Sequence, residues 1–165
     1  MEGLSKKELK VISFLEFHEM FFFIRSDIKQ FFRNVNEMNV YLHRLRKKGR
    51  IIKLNKTKYY LIPIKAFKGH WSEHPFIIID EIFNGKDYFI GGMAAANYYR
   101  LIEQIPTKIE VYSSKKQGNK KFFNFTILFR RIRSLNPRDY VKKELKKHTF
   151  IIASNKKIEK WLKSR

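Results

Sequence analysis

The sequence predicts an α+β protein, and three observations carry that prediction. Apolar residues recur at helical spacing between Ser5 and Gly49. The pattern then changes to period two on both sides of Asn55-Lys56-Thr57-Lys58. Beyond Pro63, short β-rich runs alternate with helix-patterned ones. These are the signatures of amphipathic helices, of a hairpin, and of a small mixed domain. The expected organisation is an amino-terminal domain over residues 1–62 and a mixed α/β domain over residues 63–165.

In the first domain, Ser5 with Glu8 three residues later forms a capping-box signature, so a helix should begin there. Leu9, Ile12 and Leu15 give it an apolar face that Val11 and Phe14 widen, and His18 falls at its end. Met20–Ile24 reads as a short extended link. Ser26-Asp27 offers a second N-cap, with Ile28, Phe31 and Phe32 on one side of the segment that follows. A third helix is predicted over Val35–Lys48, with Val35, Met38, Tyr41 or Leu42, and Leu45 inward and Gly49 at C′. Residues 51–54 and 59–62 then form a hairpin with a polar, basic tip.

Composition bounds the partner. The 165 residues are 44% apolar, enough for a core, and carry 36 Lys+Arg against 15 Asp+Glu for a net charge of +21. Small soluble domains typically carry about 2–8 net charges. Residues 1–62 hold 14 basic and 6 acidic side chains, and residues 63–165 hold 22 and 9. Both halves are therefore basic, with clusters at Arg44–Arg50, Lys115–Lys121, Arg130–Arg133 and Lys142–Lys147. A polyanionic partner is implied, nucleic acid before a membrane surface. The absence of cysteine excludes disulfides, thiolate zinc sites and thiol catalysis. Met20–Ile24 and Phe76–Ile79, the longest apolar runs, are far short of a membrane span. The amino terminus lacks a signal-peptide apolar core, so a soluble cytoplasmic protein is expected.

Helices, a glycine and a basic-tipped hairpin follow the order of a winged helix-turn-helix. The run from Leu42 to Leu54 resembles the recognition-helix-to-wing segment of many such domains. With the apolar stripe turned inward, Asn34, Asn36, Glu37, Asn39, Val40, His43, Arg44 and Lys47 are left outward. A helix in the major groove reads bases with its amino-terminal residues, asparagine pairing with adenine and arginine with guanine. Asn36, Asn39, His43 and Arg44 are therefore candidate base readers, and Ser26 and Asn34 are further candidate DNA contacts. Lys47, Lys48, Arg50, Lys56, Lys58, Lys116 and Lys121 are candidate phosphate contacts. The alternative is an RNA-binding module using the hairpin and the Phe122/Phe123/Phe125 run as stacking surfaces.

In the second half, Pro75 suits a helix start and Gly85 its end, so His74–Asn84 is expected to be a buried helix, although Phe76–Ile79 fits a strand equally. Tyr88-Phe89-Ile90 is a predicted strand ending at Gly91-Gly92, and Met93–Gln104 a predicted helix. Strands are expected at Lys108–Ser113, within Phe122–Arg133 as one or two, and at Thr149–Ala153. A helix over Asn155–Lys163 follows. The stretches Tyr88–Ala96, Leu101–Pro106 and Ile109–Tyr112 together resemble the core of the AbiEi family. Those proteins are regulator and antitoxin components of type IV toxin–antitoxin systems. The resemblance implies a winged helix joined to an α/β domain and autorepression of an operon. It also implies a nucleotidyltransferase toxin as genetic partner, without a tight complex. Fuller members continue with further helices beyond the position of Trp161. Promoter binding is therefore the activity the resemblance supports.

No enzyme and no cofactor are expected. His70-Trp71-Ser72-Glu73-His74 has the letters of an H-x-x-E-H zinc motif, but Pro75 disfavours the helical backbone that would put both imidazoles on one face. Asp80, Glu81 and Asp87 lack the accompanying spacing of a magnesium nuclease, and Glu81 is expected to face solvent. Phosphate-cradling glycine loops and nucleophile elbows are missing.

Overall fold

A computed structural model describes residues 3–64, 73–122 and 124–164. Its first helix, α1 (Lys6–Phe17), starts on the reciprocal cap that the sequence encodes. The Glu8 N–H donates to Ser5 Oγ at 3.3 Å and the Ser5 N–H donates to Glu8 Oε2 at 2.7 Å. The buried face of α1 is Glu8, Val11, Ile12 and Leu15. Leu9, expected inward, is 45% exposed, because the Glu8 carboxylate occupies that edge of the stripe.

The expected link at Met20–Ile24 contains a strand, β1 (Phe22–Ile24). Its partner lies far along the chain: β1 pairs antiparallel with β3 (Lys58–Leu61), which also pairs with β2 (Ile51–Lys53). The three strands lie in the order β1-β3-β2. The segment after β1 is a 3-10 helix, Arg25–Phe31. Ser26 sits inside it and is not its cap; the Asp27 carboxylate receives the Ile24 N–H at 2.7 Å. The predicted third helix is α2 (Val35–Lys47), closed by Gly49 at φ +68°. Its buried residues are Met38, Leu42 and Leu45, whereas Val35 is 56% exposed. These side chains meet Val11, Ile12 and Leu15 of α1 with Phe23, Ile28, Ile51, Tyr59 and Leu61 in one core. Each fully buried aliphatic contributes about 1.5–3 kcal/mol. The chain divides into two compact units, Met1–Glu73 and His74–Arg165.

In the second unit, α3 (Pro75–Phe83) is a helix and not a strand, with Pro75 in its first turn and His74 Nδ1 receiving the Phe76 N–H. Asn84 and Gly85 end it in left-handed backbone. After β4 (Tyr88–Gly91), helix α4 (Gly92–Tyr98) is shorter than the predicted Met93–Gln104. The left-handed Arg100 ends the helical run just beyond it. The remaining elements are β5 (Lys108–Ser113), β6 (Gly118–Phe122), β7 (Phe125–Arg131), β8 (Tyr140–Leu145), β9 (His148–Ala153) and α5 (Asn155–Lys163). They build a sheet of order β6-β7-β5-β4-β9-β8, in which the β5/β7 and β4/β9 pairs are parallel.

Pleating assigns the sheet its two faces. Toward α3, Tyr88 and Phe129 meet Phe83, and Phe150 meets Phe76. On the opposite face, Phe89 lies between Tyr112 and Tyr140 in near-parallel stacks at 5.1 and 6.0 Å. The expected α+β class is what the protein has. Among the described residues, no helix is long and apolar enough to cross a membrane.

Candidate nucleic-acid interface

Helix α2 is fixed at both ends by side chains the sequence supplies. The Asn34 Oδ1 receives the Glu37 N–H at 2.9 Å, and Glu37 in turn receives the Arg33 N–H at 2.8 Å and an ion pair from Lys7. These bonds hold the Glu37 carboxyl below its usual pKa, the Lys7 hydrogen bond first. At the other end Lys48 Nζ donates to Glu8 Oε2 at 2.7 Å, joining the end of α2 to the start of α1. Burial pushes the Glu8 carboxyl up, but the bonds from Lys48 and Ser5 outweigh it and leave it below the usual range.

With Met38, Leu42 and Leu45 in the core, the 100° step of an α-helix turns Asn36, Val40, His43 and Lys47 directly outward. All four are exposed, and Asn39 and Arg44 flank them on opposite sides. Arg44 does not project straight out: its guanidinium lies 5.6 Å from the centre of the Tyr41 ring. Three basic residues, Arg44, Arg46 and Lys47, occupy the last turn, where they complement the helix dipole.

The hairpin tip is ordered by Asn55, whose Oδ1 receives the N–H groups of Thr57 and Lys58 at 3.0 and 2.9 Å. This leaves Lys56 exposed at the turn, while Lys58 and Arg50 are half-buried. Ser26 and Asn34 come together at the amino-terminal end of α2, around a cavity of about 360 Å³. Its lining adds Arg25, Lys29, Arg33 and Val35, which the sequence reading did not select. The signal was available, since Arg25, Lys29 and Arg33 recur at spacing four. Val40 is a further apolar group, 47% exposed on the outward stripe.

Lys116 and Lys121 belong to the second unit. Lys121 is exposed on β6, but Lys116 is half-buried, with its ammonium 5.3 Å from the Phe83 ring centre and 5.6 Å from that of Phe129. Burial lowers its pKa. Lys116 is thus held by two rings of its own unit.

The stacking surface considered for RNA does not form from Phe122 and Phe125. Both are buried and stack on each other at 5.4 Å, and Phe123 lies outside the described residues. Asp80 is buried and receives the Tyr88 hydroxyl at 2.7 Å, with His148 Nε2 at 3.0 Å. Glu81, expected at the surface, is only 15% exposed and lies 3.8 Å from His148. In the H-x-x-E-H run, residues 70–72 lie outside the described residues and His74 caps α3. Among the described residues, no group of three or more His, Asp or Glu side chains is arranged to hold a metal ion. No protein-family model matches the chain, and no curated protein matches it.

Proposed function

We propose that the chain is a sequence-specific DNA-binding regulator whose amino-terminal unit works as a winged helix. The observation that carries this reading is the outward stripe Asn36, Val40, His43 and Lys47, on a helix whose opposite stripe is the domain's own core. Such a helix can enter a major groove without unfolding anything. Asn36 and Asn39 would pair with adenine edges, and Val40 would meet a thymine methyl group. Arg25, Lys29 and Arg33 at one end of the helix and Lys56 on the wing would hold flanking phosphates and set the register. A protein so placed on a promoter acts by occluding it. The resemblance of residues 88–112 to AbiEi proteins extends the proposal to autorepression of a toxin–antitoxin operon.

The test compares Asn36→Ala with Lys56→Ala on two duplexes, the DNA upstream of the coding sequence and a random one, at three salt concentrations. Asn36→Ala should lose about 1–3 kcal/mol on the upstream duplex, little on the random one, and keep the salt slope. Lys56→Ala should weaken both alike and lower the slope of log K against log salt by about 0.9. Equal losses and equal slopes would replace sequence reading with a nonspecific basic coat. Equal affinity of the parent for random duplex and single-stranded RNA would point to an RNA-binding module instead.

A further inference from the structure

A groove of about 570 Å³ lies in the second unit, between the 3-10 turn Pro137–Asp139 and one side of α5. Arg138, Lys156, Lys160 and Trp161 line it. Among the described residues that line it, the one acid, Asp139, is already engaged by Lys157. Arg138, Lys156 and Lys160 are exposed, and among the described residues none of them has a carboxylate partner. The half-buried Trp161 indole gives the groove an aromatic wall. The local side-chain acceptors are committed to the backbone: Asn136 Oδ1 receives the Arg138 N–H, and Ser154 Oγ receives the Lys157 N–H. What the groove offers a ligand is therefore positive charge and a ring.

These features select the ligand's chemistry. Three uncompensated cations around a concavity require an anion, and guanidinium and ammonium groups are the standard partners of phosphate oxygens. An indole beside them favours an anion that carries a flat π-system, since every base has a π-face that stacks on an aromatic side chain. We infer that this groove binds a nucleotide, its phosphate on Arg138, Lys156 and Lys160 and its base on Trp161, either free or as one unit of a single strand. A base inside a duplex is paired and stacked, so it cannot reach the indole. The site is thus distinct from duplex reading by α2.

The experiment uses the full chain carrying Trp71→Phe, which leaves Trp161 as its only tryptophan. ATP, oligothymidylate and oligouridylate of about ten nucleotides, a duplex and polyglutamate are each titrated against tryptophan fluorescence. Saturable quenching by an oligonucleotide is expected, and quenching by ATP of equal affinity would assign the site to free nucleotides. Arg138→Glu with Lys160→Glu should weaken binding at least about tenfold. The charge-matched pair Lys86→Glu with Lys146→Glu, exposed elsewhere on the same unit, should change it less than about twofold. The same oligonucleotides, fluorescein-labelled, are followed by anisotropy on the native two-tryptophan chain and on Trp161→Leu and Trp161→Phe. Binding should fall for Leu and return for Phe. Absence of saturable quenching and of anisotropy change overturns the inference. So do equal losses from the two charge pairs, equal competition by polyglutamate or duplex, or an unaffected Trp161→Leu. Asn36→Ala should leave these titrations unchanged, which separates this result from that of the duplex test.

Discussion

Glu8→Gln isolates the contact that fixes α2 against α1. The Glu8 side chain is 1% exposed and Lys48 is 15% exposed, so the charges face each other out of water. Glutamine keeps an acceptor for the Ser5 N–H but removes the charge opposite Lys48. A hydrogen bond to a charged group contributes about 1.5–3 kcal/mol, and breaking a fully buried pair costs about 3–5 kcal/mol. Lys48 retains a route to solvent, which places the expected loss at about 2–3 kcal/mol in urea unfolding near neutral pH. The pH dependence supplies the decisive check. The folded-state pKa of Glu8 is depressed, so the stabilisation is present above the unfolded carboxyl value near ~4.3 and is lost as pH falls through the folded value. As pH falls through that depressed folded value the parent carboxyl becomes neutral like the amide, and the gap between parent and variant should close. A gap that stays constant or widens in acid would refute the argument. Replacing both partners, Glu8→Gln with Lys48→Met, should recover part of the loss.

Two further perturbations test the second unit. A Cβ on Gly91 would lie 2.6 and 2.9 Å from two Tyr112 ring atoms, and that ring is already stacked on Phe89 and bonded to Glu110; Gly91→Ala should cost about 1–3 kcal/mol in thermal unfolding, and an unchanged Tm would show that the ring moves freely. The β8–β9 turn places Lys146 and Lys147 at φ +51° and +63°, the left-handed pair that Asn-Gly favours; Lys146→Asn with Lys147→Gly should gain about 1 kcal/mol, and a loss would mean the lysine side chains make compensating contacts.

The elements that were legible in the sequence are those whose signals are local. The Ser5/Glu8 box starts α1, Gly49 ends α2, and α5 covers the residues expected of it, Asn155–Lys163. Elements whose evidence lies elsewhere in the chain were not legible. Phe21-Phe22-Phe23 has no alternation, and β1 becomes a strand because Tyr60, far along the sequence, pairs with Phe22. The parallel β5/β7 and β4/β9 pairings have no local signature either. Strands β6 and β8 were read only as basic clusters for a different reason. Both are edge strands with four or more positions at least partly exposed, so no apolar period marks them.

The same distinction separates the charges that indicate a partner from those that do not. Lysines along β6 and β8 have a sufficient structural use, because charge on an edge strand prevents pairing with another sheet. Lys116 sits over two rings, Lys48 answers Glu8, and Lys157 answers Asp139. None of these needs a polyanion to explain it, so a net charge of +21 overstates the case for one. The informative cations are those that converge on a shaped surface without an acid opposite them. Helical spacing reveals the exposed stripe that holds Asn36, His43 and Lys47, because the buried stripe of α2 dictates its outward one. Spacing cannot reveal the convergence of Arg138, Lys156 and Lys160, which a turn and a helix bring together around Trp161. Charge count points to a class of partner; concavity and unmatched charge locate where that partner would sit.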